Sequence, residues 1–138
     1  DHRDWALYGY WGSTVNITDG EYTYLHPCDE TIDAAYHSTT MLGPYGQFKP
    51  PEPQSDAEAG AFLPYTDCPV WRYYGPSNTR HDEPMLFNVA EDPWQHTNLV
   101  DREDDQQARM QHLLVDALDE LEAPDNQYER LGLTKQEG

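Results

Sequence analysis

The chain has 138 residues, enough for one domain with one core and not for two. Twenty-six acidic against eight basic residues give a formal net charge of −18. That balance excludes non-specific nucleic-acid binding and docking on an anionic membrane as default functions, since both need clustered Lys and Arg, and the apolar runs are too short to span a bilayer.

A mean hydropathy of −0.91 at this charge is the composition of a disordered chain. Ten Tyr, four Trp and three Phe oppose that reading, because they supply large apolar area. A folded domain with a very acidic surface is expected. Its lysines are only Lys49 and Lys135, against six Arg. Such a surface repels itself at low ionic strength and is tolerated when salt screens it, which points to a salt-adapted chain. Cys28 and Cys68 are too few for a disulfide framework; one bridge and two free thiols both remain open. The cytoplasm of a high-salt organism and export both fit. The opening residues Asp1-His2-Arg3-Asp4 do not read as a basic-plus-apolar signal, which leaves a signal ahead of Asp1 open.

Trp5–Tyr10 is aromatic and apolar and reads as a strand. Val15–Thr18 is a short β-branched strand. Asp19-Gly20 signals a hairpin. Glu21–Leu25 then alternates, with Tyr22 and Tyr24 on one face and Thr23 and Leu25 on the other, until Pro27 stops it. Glu30–His37 is expected to form a short helical turn. Residues 49–60 are Pro-rich, acidic and nearly free of apolar groups, and read as a mobile loop. A strand is expected across 69–74, a loop over 75–84, another strand at Met85–Val89, and a turn at Glu91-Asp92-Pro93.

Residues 101–122 carry the clearest helical signal. Asp101 is a candidate N-cap, and Glu103 and Asp104 place negative charge on the first turn. Met110, Leu113, Leu114, Ala117, Leu118 and Leu121 share one face. Pro124 follows the end. Residues 125–138 read as a polar tail anchored by Leu131 and Leu133. The expected class is α+β: a small antiparallel β-sheet covered by one long C-terminal helix, with long irregular loops, in a single domain over 1–138.

No nucleophile elbow, phosphate-cradling loop or zinc-protease helix is present. His26, Cys28, His37 and Cys68 do not have the spacing of a zinc finger, so no metal site is expected. Carboxylate pairs such as Asp29-Glu30 and Glu91-Asp92 are a natural product of so acidic a composition. A catalytic pair must instead converge in a cleft that perturbs its pKa values. Asn16-Ile17-Thr18 matches a glycosylation acceptor, but it falls inside an expected strand. Trp5, Tyr8, Tyr10 and Trp11 are a candidate sugar-stacking platform; the competing reading makes them core.

Two stretches carry a family resemblance. The first runs Ala6-Leu7-Tyr8-Gly9-Tyr10-Trp11-Gly12, Val15-Asn16-Ile17-Thr18-Asp19-Gly20 and Tyr22-Thr23-Tyr24. The second runs Leu86-Phe87-Asn88-Val89, Asp92-Pro93 and Asn98-Leu99, ahead of the helix. Together they resemble the C-terminal part of type I sulfatases, in the alkaline-phosphatase-like superfamily. There, a TDG-x-Y-x-Y strand joins a small antiparallel sheet, and an L-F/Y-D/N-L-x-x-D-P-x-E-x-x-N-L run precedes the last helix. Here Gln95 stands where Glu is frequent, and Trp94 where Gly is. The match spans roughly residues 5–122 and is weak in the middle.

The resemblance implies a non-catalytic subdomain that packs on the large catalytic domain of a sulfuric ester hydrolase and helps shape its substrate cleft. The family's formylglycine motif, C/S-x-P-x-R, is not matched. Cys68-Pro69-Val70-Trp71-Arg72 has the outer spacing, but its Pro is one place early and the segment lies too near the helix. The calcium ligands of the family belong to the catalytic domain, so no cofactor is expected in this chain. The candidate substrate-binding residues are His26, His37, Lys49 and Arg72, because a cation or imidazole attracts a sulfate or another anionic group. Self-association of the isolated chain is expected if its sheet normally rests on a larger domain. The alternatives are a stand-alone carbohydrate-binding module, or the same subdomain of a phosphoesterase or phosphotransferase.

Overall fold

A computed structural model describes residues 3–10, 12–39 and 57–135. The chain builds two antiparallel sheets and two helices. The first sheet contains β1 (Ala6–Gly9), β2 (Val15–Thr18), β3 (Tyr22–His26) and β7 (Met85–Asn88), in that spatial order. The second contains β4 (Ala34–Ser38), β5 (Glu58–Gly60) and β6 (Val70–Gly75), with β6 in the middle. Helix α1 is Asp104–Glu120 and α2 is Asp125–Leu131. The second sheet is thus an excursion made between two neighbouring strands of the first.

The expected architecture of one small sheet under one long C-terminal helix is therefore corrected. Three strands lie outside the first sheet, and the longest helix has only 17 residues. The helical turn expected at Glu30–His37 is also overturned, since Ala34–Ser38 pairs with β6 from Ala34↔Gly75 to Ser38↔Trp71. Tertiary pairing overrides the mild helical preference of the two alanines. At the end of the Pro-rich stretch, Glu58–Gly60 pairs with β6; residues 49–56 lie outside the described residues. In the polar tail, Asp125–Leu131 is helical and ends at Gly132, whose φ of 62° is the left-handed C-cap conformation. The long helix starts at Asp104 and not at Asp101, which has a φ of 61° and so lies outside helical geometry.

The hairpin at Asp19-Gly20 is built by the Asp19 carboxylate. Its Oδ1 accepts from the backbone N–H of Glu21 at 3.0 Å and of Tyr22 at 2.7 Å. Its Oδ2 accepts from Arg109 Nη2 of α1 at 2.7 Å, so one side chain closes the turn and ties it to the helix. Registers Leu7↔Ile17, Ile17↔Tyr24 and Tyr24↔Leu86 set four apolar residues in one row across the sheet. Ile17, Tyr24 and Leu86 are buried in one cluster with Met110, Leu114, Ala117 and Leu118 of α1. Burying side chains of this size contributes about 1.5–3 kcal/mol each. The second sheet has a smaller core, where Tyr36 and Tyr73 stack with centroids 5.6 Å apart.

The two sheets are stitched at three points. Gly12 lies under Tyr36, where a Cβ would come within 2.1 Å of the phenol oxygen, and its carbonyl accepts from Asn78 N–H at 2.9 Å. Asn126 Oδ1 accepts from Ala35 N–H while its Nδ2 donates to Asp33 O, both at 3.0 Å, fixing the start of α2 to β4. Arg130 is 2 % exposed, and its Nη2 donates to Ser13 O at 2.8 Å. Its own carbonyl accepts from Asp29 N–H at 2.8 Å.

Burial works upward on the Asp19 carboxyl. The Tyr22 N–H, Arg109 and the Glu21 N–H outweigh it and hold the group below the usual carboxylate range. A depressed folded-state pKa stabilises the fold above the unfolded value of 3.8 and is lost as pH falls through the folded one. Asp19→Ala is expected to lower stability by about 1–3 kcal/mol in urea unfolding at pH 7, with a smaller deficit at pH 3. An unchanged midpoint at pH 7 would show that the turn holds without its carboxylate.

Candidate functional site

His37 and Arg72 are a directly opposed cross-strand pair on β4 and β6. Paired residues of an antiparallel ladder share a face. The registers put Ala35, His37, Arg72, Tyr74 and Glu58 together on the face opposite the Tyr36–Tyr73 stack. The Arg72 guanidinium carbon lies 3.9 Å from the centroid of the Phe62 ring, and its Nη2 donates to Glu58 at 2.7 Å. Its Nε is buried and has no hydrogen-bond partner among the described residues. His37 is half-buried, with its ring centroid 6.2 Å from that of Phe62. Burial, and then the positive charge of Arg72, push the His37 imidazole down from its ordinary pKa, so it is neutral at neutral pH.

This face forms the floor of a cleft walled by the α1–α2 connection. A polar arm of about 430 Å³ takes in His37, Arg72, Tyr74, Asn126 and Lys135. An apolar arm of about 580 Å³ runs along Phe62, Leu63, Pro64, Tyr65 and Leu121. The arms share Ala35, His37, Phe62 and the Glu122–Pro124 corner. Such volumes are typical of small-molecule sites. Lys135 Nζ meets Asp125 at 3.3 Å, an ion pair exposed on both sides.

The other candidates go elsewhere. His26 is a joint of the fold. Its Nε2 donates to Leu131 O at 2.8 Å, which leaves Nδ1 to accept from the Tyr24 hydroxyl at 3.2 Å. Lys49 lies outside the described residues. Cys28 is buried, Cys68 is exposed, and both are free thiols. Among the described residues no group of three or more His, Cys, Asp or Glu is placed to hold a metal ion. Of the aromatic platform, Trp5 is half-buried, Tyr8 and Tyr10 are exposed, and Trp11 lies outside the described residues; Arg3 lies 5.0 Å from the Trp5 ring centroid and Arg80 5.2 Å from that of Tyr10.

Sequence reasoning missed Phe62, Tyr74 and Lys135. Tyr74 carried a signal, since it stands two residues from Arg72 on an expected strand and therefore on the same face. Lys135 carried none, because only the turn after α2 returns it to the second sheet.

No family model matches the chain, and no curated protein matches it.

Desolvation pushes the His26 imidazole below its ordinary value of 6.5 and the charge of His81 adds to this, while the bond to Leu131 works upward. The sign follows from linkage. The unfolded chain takes up the proton first, so His26 costs nothing above its unfolded pKa and destabilises as pH falls below it. Wild-type protein is expected to lose stability between pH 7.5 and about pH 5.5, and His26→Gln to lose less over the same interval. Equal losses by urea unfolding would remove His26 as the titrating group.

Proposed function

We propose that this chain is the C-terminal, non-catalytic subdomain of a sulfatase-like sulfuric ester hydrolase, packing on the large catalytic domain and helping shape the substrate cleft. One observation carries the reading. The two motif stretches, far apart in sequence, are adjacent strands, with Tyr22↔Asn88, Thr23↔Phe87 and Tyr24↔Leu86 paired. Their polar residues make the hydrogen bonds of the turns that flank these strands. Asp19 closes the β2–β3 hairpin. Asp92 accepts from Thr97 N–H at 2.9 Å. Asn98 Oδ1 accepts from the N–H groups of Leu86 and Val100 at 3.0 and 3.1 Å, leading the chain off β7 toward α1.

In this reading the nucleophile and the calcium ion belong to the large domain. The subdomain contributes binding surface, with His37 and Arg72 as the residues that touch substrate. The exposed rings of Tyr65 and Trp94, at 80 % and 81 %, are surface that a covering domain would bury. The charge belongs to the same reading: the whole chain has 26 acidic residues against eight basic ones, so most carboxylates have no cation to pair with. A salt-adapted parent is the natural setting for such a surface.

Two measurements test this. The native polypeptide in its source cells is expected to have a mass several-fold above 15.9 kDa, with C/S-x-P-x-R upstream. Purified residues 1–138 are expected to release no nitrophenol from 4-nitrophenyl sulfate; turnover that survives removal of contaminants overturns the reading. Separately, the melting temperature of the chain is expected to rise steadily from about 0.05 M to 2 M KCl, as the Debye length falls to about 3 Å and below. A flat or falling curve would reject salt adaptation.

A further inference from the structure

The cleft on the second sheet has two unlike arms that meet at His37 and Phe62. It lies outside the two motif stretches, on the excursion between β3 and β7. In the polar arm, Arg72 keeps a buried Nε without a hydrogen-bond partner among the described residues, beside a neutral imidazole. That Nε is closed off from the cleft, so a ligand there meets the terminal nitrogens of a side chain 32 % exposed, and a guanidinium N–H that reaches solvent is a donor for a bound oxyanion. Glu58 and Asp125 already neutralise Arg72 and Lys135, but their side chains are 63 % and 93 % exposed. Pairs of that kind contribute little and are weakened by salt, so a better-placed oxyanion displaces them. The chain's net charge of −18 repels any anion that has only charge to offer. Burial of an apolar body along Phe62, Leu63 and Leu121 has to supply the remaining affinity.

We propose that this cleft binds a small amphiphilic organic anion, its oxyanion head on Arg72 and Lys135 beside His37, and its flat apolar body along Phe62, Leu63 and Leu121. The proposal deepens the reading above by giving the cleft a ligand class. It is tested by binding and not by turnover, so either can fail alone.

The full chain is titrated calorimetrically with 2-naphthyl sulfate, 2-naphthoate, 2-naphthol and inorganic sulfate. At least one naphthyl anion is expected to bind about tenfold tighter than 2-naphthol or inorganic sulfate. The tighter of the two naphthyl anions identifies the head as sulfate ester or carboxylate. Arg72→Gln is expected to weaken that anion about fivefold or more and leave 2-naphthol unchanged. Leu121→Ser, at a 40 % exposed position, is expected to weaken the naphthyl anion and leave inorganic sulfate unchanged. Lys135→Gln, at an exposed side chain, tests the head contact independently if Arg72→Gln does not fold. The proposal is overturned if neither naphthyl anion binds tighter than 2-naphthol, or if the tighter one binds equally well to wild type and both head-group variants.

Discussion

The ladder between β3 and β7 is the constraint on which the rest of the molecule hangs. It pairs Tyr22–Leu25 with Met85–Asn88 and so closes an excursion of about 60 residues. Loop-closure entropy grows slowly with length, so a four-residue ladder with a buried Tyr24–Leu86 pair can hold so long a loop shut. Once it is closed, the row from Leu7 to Leu86 is continuous, and α1 has a surface to cover. The second sheet, the start of α2 and the cleft then take positions that depend on that closure.

Legibility from sequence followed how local the cause was. The β2–β3 hairpin is written in Asp19-Gly20, and the same carboxylate that signals the turn makes its hydrogen bonds. The face of α1 is written in the spacing from Met110 to Leu118, which are buried as a stripe. Helix α2 was not legible, because only Tyr128 and Leu131 mark its apolar side, and seven residues are too few for periodicity to show. Strand β4 misled because Ala34 and Ala35 suit a helix, while its partner β6 lies more than thirty residues on. The site was half legible for the same reason. His37 and Arg72 could be picked as cation or imidazole candidates, but their cross-strand pairing is a property of register. His26 looked equally eligible and is instead committed to Tyr24 and Leu131.

The electrostatics divide into a surface and an interior. The surface is dominated by carboxylates, and the Arg3–Glu120 and Lys135–Asp125 ion pairs are exposed on both sides. The interior holds one guanidinium, Arg130, whose described partners are oxygen atoms of uncharged groups: the Ser13 carbonyl and the Gln127 amide. A buried cation costs less where the surrounding field is strongly negative, as it is here. Arg72 stands between these regimes, half-buried, stacked on Phe62 and paired with an exposed carboxylate.

Because Leu25 and Met85 are opposite one another, the excursion leaves and re-enters the first sheet at adjacent points. It is thus a graft with a single narrow stem. Length and composition inside it can change without re-registering the parent sheet, in the way hairpin loops accept inserted modules. What a replacement must respect is the socket: the space over Gly12 that Tyr36 fills, the Arg130 carbonyl that receives Asp29, and the Asn126 amide that grips β4. The first sheet and α1 can therefore stay constant over evolutionary time while the cleft they carry is exchanged for another.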